Sequence, residues 1–147
     1  LAKEHINTDA PLFFANSYQF VEWDSNEFLY KMNETNADGG IVTFEATHPK
    51  WSFAKINKQG LVTEVAEKKP ISNIATVGFY YWKQGSDFVK YAEQMINKNI
   101  RVNNEFYVCP VFNQAIEDNK EIRTFNINGM WGLGTPEDLN YYLENYK

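Results

Sequence analysis

The sequence is poor in the residues that build disulfides and metal centres. It has one cysteine, Cys109, and two histidines, His5 and His48. A single thiol cannot form an internal disulfide or a cysteine-based metal site, and the two histidines lack the HxxxH or HxxE spacing of a metal centre. We therefore expect no metal ligands of these types and a reducing compartment, the cytoplasm.

Long apolar runs and clustered positive charge are also scarce. No apolar run approaches the ~18 residues that a membrane-crossing helix needs, and Leu1 opens neither a charged nor a long apolar segment. We expect no membrane partner and no signal peptide, and the start at Leu rather than Met indicates a piece of a longer protein. The 14 Lys and Arg residues are spread thinly along a chain of net charge -5, which argues against a nucleic-acid partner.

Apolar and aromatic side chains, in contrast, are plentiful. The 147 residues are 44% hydrophobic and 16% aromatic, which is enough to bury one core and too much for a disordered chain. No linker, internal repeat or low-complexity stretch divides the sequence. Residues 1–147 are therefore predicted to form a single domain.

Short β-prone runs alternate with amphipathic segments along the chain. Strands are predicted at 11–15, 41–45, 51–56, 61–66, 74–82 and 122–128. The loop from Asn57 to Gly60 indicates a hairpin, because its closing glycine can adopt positive φ. The pair Gly39-Gly40 is expected to separate the first helix from the strand that follows.

Four helices are predicted from caps and apolar spacing. They cover 24–34, about 86–99 with Ser86 as the cap, a segment that starts around 107–110 with proline in its first turn and ends before Asn119, and a last helix that starts at Thr135. The last helix is expected to turn Leu139, Tyr142, Leu143 and Tyr146 inward. Strands mixed with helices, including one hairpin, predict an α/β fold with a mixed sheet flanked by helices.

Four segments, in order, carry a resemblance to a known family. They are the strand and turn PLFFANS at 11–17, the stretch GLVTEVAEKKP at 60–70, the strand ATVGFYY at 75–81 and the helix start GTPEDL at 134–139. In this order they resemble the sugar-phosphate nucleotidylyltransferases, which join a sugar 1-phosphate to a nucleotide and release pyrophosphate. The resemblance implies part of a Rossmann-like, GT-A-like nucleotidyltransferase fold, with sugar phosphate and nucleotide as partners.

The resemblance also implies four substrate-binding residues, each with an alternative. Lys68 would meet the sugar phosphate, or be a solvated lysine, and Glu67 would bind sugar hydroxyls, or be a surface carboxylate. Gly78 would let the backbone approach the sugar, or mark a bulge or close strand packing. Glu105 would lie near the sugar, or be a plain loop acid.

The chain departs from the family pattern where the family binds the nucleotide and the metal. It has no GGxGxR loop, and Tyr18 stands where the family carries an aspartate. The second family aspartate precedes GTP, where this chain has Gly132-Leu133. Mg²⁺ is expected for the family but doubtful here, because a neutral phenol is a poor ligand for a hard cation.

These departures leave two functions open on one fold, and they predict association. The chain is either a nucleotidylyltransferase fragment for nucleotide-sugar and surface polysaccharide synthesis, inactive by itself, or a catalytically silent sugar-phosphate-binding or regulatory module. An unrelated α/β domain is the third alternative. We expect a homodimer or a swapped assembly through an open sheet edge at strand 12–15 or strand 74–82.

Overall fold

The computed structural model describes residues 2–146. Its longest strand, Ile74–Trp82, organises the main sheet. The strands are β1 (Leu12–Ala15), β2 (Gln19–Val21), β3 (Gly39–Glu45), β4 (Ser52–Ile56), β5 (Val62–Glu67), β6 (Ile74–Trp82), β7 (Ile122–Asn126) and β8 (Met130–Gly132). The helices are α1 (Lys3–Ile6), α2 (Ser25–Glu34), α3 (Gly85–Asn97), α4 (Val111–Glu117) and α5 (Pro136–Asn145).

Strand β6 lies in the interior of this sheet, whose order is β5-β4-β6-β3-β7. It pairs with β3 on one side, and on the other side with β4 near its start and β1 near its end. Among the main-sheet strand pairs within residues 2–146, β3–β7 is parallel and the others are antiparallel, so the sheet is mixed, as predicted. The expectation that strand 74–82 offers an open edge is wrong, because β6 has partners on both sides.

Helices cover both faces of the sheet. On one face, α3 and α4 bury Tyr91, Met95 and Phe112 against the strands. On the other face, α2 inserts Phe28 and Met32. The α/β fold with a mixed sheet flanked by helices is thus confirmed, and none of the helices within residues 2–146 is long and apolar enough to cross a membrane.

The helix starts follow the predicted caps in two cases and not in a third. Asp24 accepts from the N–H of Asn26 at 2.8 Å before α2, and Thr135 accepts from the N–H of Asp138 at 3.1 Å in α5. The prediction that Ser86 caps α3 is wrong, since the helix already begins at Gly85 and the cap position falls on Gln84.

The Gly39-Gly40 pair does not lie between α2 and the following strand but forms the first two residues of β3. A Cβ on Gly39 would come within 2.8 Å of Phe112, and one on Gly40 within 3.0 Å of Phe28. The two glycines therefore let helices from both faces pack closely on the strand.

Helix α5 packs on a separate two-stranded sheet of β2 and β8. The rings of Tyr142 on α5 and of Tyr146 directly after it contact Phe20, but none of the α5 residues is buried, and Leu143 is 68% exposed. The predicted inward stripe is therefore wrong for Leu139 and Leu143. The small sheet and α5 border a cavity that the main sheet closes on its other side.

Candidate functional site

A cavity of about 510 Å³ opens between the main sheet and the small sheet. This volume falls in the range of small-molecule binding pockets. Strands β4, β5 and β6, the loop after β1 and the start of α5 line it. The lining residues include Asn16, Tyr18, Lys50, Trp51, Ser52, Glu67, Lys68, Thr76, Gly78, Tyr80, Tyr107, Cys109, Gly132, Thr135 and Asp138.

Glu67 lies at the end of β5 and lines this cavity. Its carboxylate accepts a hydrogen bond from the hydroxyl of Ser52 on the neighbouring strand. Burial raises the pKa of the Glu67 carboxyl above its usual value, while the Ser52 hydrogen bond and the Lys68 charge oppose the shift. Glu67 is thus a half-buried acid facing the cavity rather than a surface carboxylate.

Uncharged polar groups lie beside Glu67. The hydroxyls of Thr76 and Tyr80 are hydrogen-bonded at 2.9 Å. The thiol of Cys109 is buried, and that burial raises its pKa to about 12, so the thiol stays protonated at neutral pH. This part of the cavity offers hydrogen-bonding groups without a charge or a reactive thiolate.

Lys68 extends along the cavity wall to two residues of a distant loop. Its Nζ donates to the Tyr107 hydroxyl at 2.7 Å, and that hydroxyl donates to the Glu105 carboxylate at 2.6 Å. The hydrogen bond to Tyr107 is the main reason that the pKa of Lys68 is raised. Glu105 is therefore connected to the cavity through Tyr107 and is not among the lining residues.

Gly78 lies at an irregularity of β6, where the register with β3 shifts. Its φ is +91°, and a Cβ there would overlap the side-chain amide of Asn16. The Asn16 N–H also donates to the Gly78 carbonyl at 3.3 Å. The glycine thus serves a bulge and a close approach at once, and both lie at the cavity.

The positions that carry aspartates in the family hold other groups. Tyr18 lines the cavity, and its carbonyl accepts from the N–H of Leu133 at 2.8 Å. Asp138 lies beside Gly132, so that a Cβ on this glycine would be 3.3 Å from the Asp138 carboxylate. Lys50 donates to that carboxylate at 2.9 Å and is the main reason that the pKa of Asp138 is lowered.

These groups do not fit a divalent cation. Mg²⁺ prefers carboxylate oxygens in octahedral geometry, whereas Glu67 is hydrogen-bonded to Ser52 and Asp138 is paired with Lys50. Across residues 2–146, no three His, Cys, Asp or Glu residues are grouped to hold a metal ion.

Three of the four predicted site residues, Glu67, Lys68 and Gly78, come together in the cavity. Sequence reasoning missed Asn16, Tyr107 and the Lys50–Asp138 pair. Tyr107 had a local signal, since it follows Glu105 by two residues. The Lys50–Asp138 pair joins residues 88 positions apart, and no local pattern connects them.

No protein-family model and no curated protein sequence matches the chain. Solved structures do. The nucleoside-diphosphate-sugar pyrophosphorylase from Vibrio cholerae RC9 superposes with a TM-score of 0.79 at 21% identity, over 99% of this chain and 60% of its own.

Two further structures share the fold. A putative glucose-1-phosphate thymidylyltransferase from Bacillus anthracis, in complex with a sucrose, gives a TM-score of 0.73 at 13% identity over 95% of this chain and 55% of its own. HddC from Yersinia pseudotuberculosis, complexed with GMP-PN, gives 0.62 at 17% identity over 99% and 59%.

The comparisons define the class of fold. The chain has the α/β fold of sugar nucleotidyltransferases, so the resemblance drawn from its motifs is confirmed for the fold. Because every identity is below 25%, the likeness carries the architecture and not the activity. The chain spans about 55–60% of the length of these neighbours.

Proposed function

We propose that the cavity binds a sugar phosphate, as the sugar side of a nucleotidyltransferase-type site. One observation carries this proposal: the side chain of Lys68, the half-buried carboxyl of Glu67 and the glycine backbone at position 78 line one cavity. The three come from two separate motifs of the family resemblance, and the cavity is large enough for a small ligand.

Each group would have a distinct role towards such a ligand. The Lys68 ammonium is a point charge suited to a phosphate oxygen. Glu67 and the Asn16 amide can hydrogen-bond sugar hydroxyls. Gly78 lets the Asn16 side chain pack on the β6 backbone and so sets that amide at the cavity, and Trp51 lines the wall.

Nucleotidyl transfer by these 147 residues alone is not part of the proposal. Such transfer needs groups that position and neutralise a triphosphate, and the sequence has no GGxGxR loop. The carboxylates at the cavity do not fit a Mg²⁺ site either, because Glu67 is hydrogen-bonded to Ser52 and Asp138 is paired with Lys50. Binding of a nucleotide would require residues beyond these 147. A role in cytoplasmic nucleotide-sugar synthesis for surface polysaccharide would require them as well.

A catalytically silent sugar-phosphate-binding or regulatory module is the second candidate. The Tyr18 phenol, at the position of a family aspartate, and the Lys50–Asp138 ion pair favour it directly. The two candidates share the binding step and differ in whether these residues contribute to pyrophosphate release together with further residues, so one ligand-binding experiment tests what they have in common.

The binding test uses isothermal titration calorimetry with glucose 1-phosphate, glucose and inorganic phosphate. We expect the sugar phosphate to bind more tightly than either part, and Lys68→Met to weaken it about tenfold, or ~1.4 kcal/mol. Lys58→Met is the matched control, because it removes the same charge from the exposed hairpin loop. Equal weakening by both variants, or no binding by the wild type, would contradict the proposal.

We also propose self-association through β1. Within residues 2–146, β6 is the strand that pairs with β1, which leaves the opposite edge of β1 available. Phe13 on this strand is 42% exposed. An unpaired strand edge with exposed apolar side chains recruits another strand, which supports a homodimer or a swapped assembly.

A further inference from the structure

Lys68, Tyr107 and Glu105 form a hydrogen-bonded chain that leads away from the cavity. The two distances, 2.7 Å and 2.6 Å, are those of good hydrogen bonds. The Lys68 ammonium also lies 4.7 Å from the centroid of the Tyr107 ring. Since the ammonium is hydrogen-bonded to the hydroxyl, it lies beyond the oxygen-bearing edge of the ring, and the hydroxyl is the contact that joins the two residues.

The loop that carries Tyr107 and Glu105 is held in place by its own contacts. Val102 and Glu105 exchange backbone hydrogen bonds at 2.9 and 3.0 Å, and Asn103 and Asn104 between them have positive φ. Arg101 lies 3.9 Å above the Phe106 ring and donates to the Asn104 carbonyl at 2.8 Å. The Glu105 carboxylate thus projects from a tight, braced turn.

The backbone of Lys68 is also set in an uncommon conformation. Its φ is +54°, which a non-glycine residue adopts only at some cost. Its N–H donates to the Trp51 carbonyl at 3.0 Å, which fixes this conformation at the end of the hairpin. Both ends of the Lys68–Tyr107 contact are therefore positioned before any ligand arrives.

We propose that Tyr107 and Glu105 are positioning residues that hold Lys68 as a preset anchor for the phosphate, with Glu105 acting through Tyr107 and not on the ligand. This inference rests on the proposed function and deepens it. The consequence is selectivity: losing either residue weakens binding of a phosphorylated sugar and leaves binding of the neutral sugar unchanged.

The hydrogen-bond inventory supports this arrangement. An ammonium has three donors, of which one is used on Tyr107, so two remain for phosphate oxygens. Glu105 accepts the phenolic proton, which makes the phenol oxygen a better acceptor for the ammonium. The charged groups near Lys68 are Glu67 beside it in sequence and Glu105 behind the phenol; neither bonds the ammonium directly.

A double-mutant cycle separates action through Tyr107 from direct contact with the ligand. Glucose 1-phosphate and glucose are titrated by calorimetry into the wild type, Tyr107→Phe, Glu105→Gln and the double variant. We expect about a tenfold loss of glucose 1-phosphate affinity for Tyr107→Phe, which keeps the ring, and a smaller loss for Glu105→Gln. In the Tyr107→Phe background, Glu105→Gln should have no further effect.

Two outcomes of this cycle would overturn the proposal. One is a Glu105→Gln effect that persists in the Tyr107→Phe background, since it would place Glu105 on the ligand. The other is a comparable loss of glucose affinity, because that would indicate a general change of the cavity.

A measurement without ligand keeps the inference separable from the proposed function. The pKa of the Lys68 ammonium is followed by NMR of its Cε in the free protein, with Lys58 as the internal reference. Tyr107→Phe and Glu105→Gln should each lower the Lys68 pKa and leave Lys58 unchanged. If the wild type fails to bind glucose 1-phosphate, the proposed function fails, and an unchanged Lys68 pKa in both variants would refute the positioning chain itself.

Discussion

Asn16 occupies the space that a side chain at Gly78 would need. A Cβ built on Gly78 overlaps the Asn16 side-chain nitrogen and lies 2.9 Å from its Cγ, and the φ of Gly78 is +91°. The amide therefore packs directly on the β6 backbone at the cavity. Sequence reasoning offered a ligand role and a packing role for this glycine, and the structure shows that the packing partner is itself a cavity residue.

The first prediction is that Gly78→Ala destabilises the protein by about 2–5 kcal/mol. A methyl group would be strained by the positive φ, at ~1–2 kcal/mol, and overpacked against Asn16, at ~1–3 kcal/mol. Urea denaturation measures the change. Gly60→Ala is the control, because Gly60 has φ +75° but nothing within 4 Å of its Cβ position, so only the backbone cost remains.

Removing the Asn16 side chain should relieve part of this cost. In an Asn16→Ala background, Gly78→Ala should cost about as much as Gly60→Ala does in the wild type. An undiminished cost of Gly78→Ala in that background would show that Asn16 is not the group that excludes a Cβ.

The predictable parts of the fold are those with local causes. Asp24 and Thr135 cap helices within their own segments, and the Asn57 side chain closes the hairpin loop by accepting from the N–H groups of Gln59 and Leu61. The motifs at 60–70 and 75–81 also located the cavity residues Glu67, Lys68 and Gly78, whose ligand roles remain predictions.

The parts that sequence missed have distant causes. Gly39 reads locally as a helix breaker, yet it is needed because Phe112 packs on it from far along the chain. The small sheet pairs Phe20 with Trp131, and the Lys50–Asp138 ion pair joins the segment before β4 to the α5 helix beside that sheet. Neither partner carries a signal that identifies the other.

The second prediction concerns the pH dependence of stability at Glu67. In the folded protein, burial raises the pKa of the Glu67 carboxyl above its ordinary value of 4.5. The folded state therefore binds this proton more tightly than the unfolded state. The free energy of unfolding should therefore fall as pH rises from about 4.5 through the raised pKa. Glu67→Gln should abolish this fall at the site, and Ser52→Ala should enlarge it by removing a hydrogen bond that favours the carboxylate.

Urea denaturation at several values between about pH 4 and pH 7 tests this linkage. Glu64→Gln, an exposed change on the same strand, serves as the control and should keep the wild-type slope. Parallel pH profiles for the wild type and Glu67→Gln would mean that burial does not perturb Glu67.

The third prediction is that the chain releases no pyrophosphate from any nucleoside triphosphate with glucose 1-phosphate and Mg²⁺, and that Tyr18→Asp restores none. One new carboxylate does not make a magnesium site while Asp138 stays paired with Lys50, and the sequence has no GGxGxR loop for the triphosphate. A coupled phosphate assay, with an active sugar nucleotidylyltransferase run in parallel, measures the rate. Magnesium-dependent turnover above the blank, in the wild type or in Tyr18→Asp, would contradict this prediction.

The fourth prediction is that the protein dimerises along β1 and that Ala15→Pro prevents it. The N–H of Asn16 points to β6, where it meets the Gly78 carbonyl, so by alternation the N–H groups of Phe13 and Ala15 point to the opposite edge. A proline at 15 removes one outward donor and spares the pairing with β6.

Sedimentation at tens of micromolar tests this prediction, because a dimer with a dissociation constant of about one micromolar is mostly assembled at that concentration. The wild type should sediment at twice 17.1 kDa, and the variant should sediment as a monomer. Unchanged thermal unfolding of Ala15→Pro at low concentration would show that its fold is kept. A wild-type monomer, or a dimer that survives the substitution, would place the contact elsewhere or exclude it.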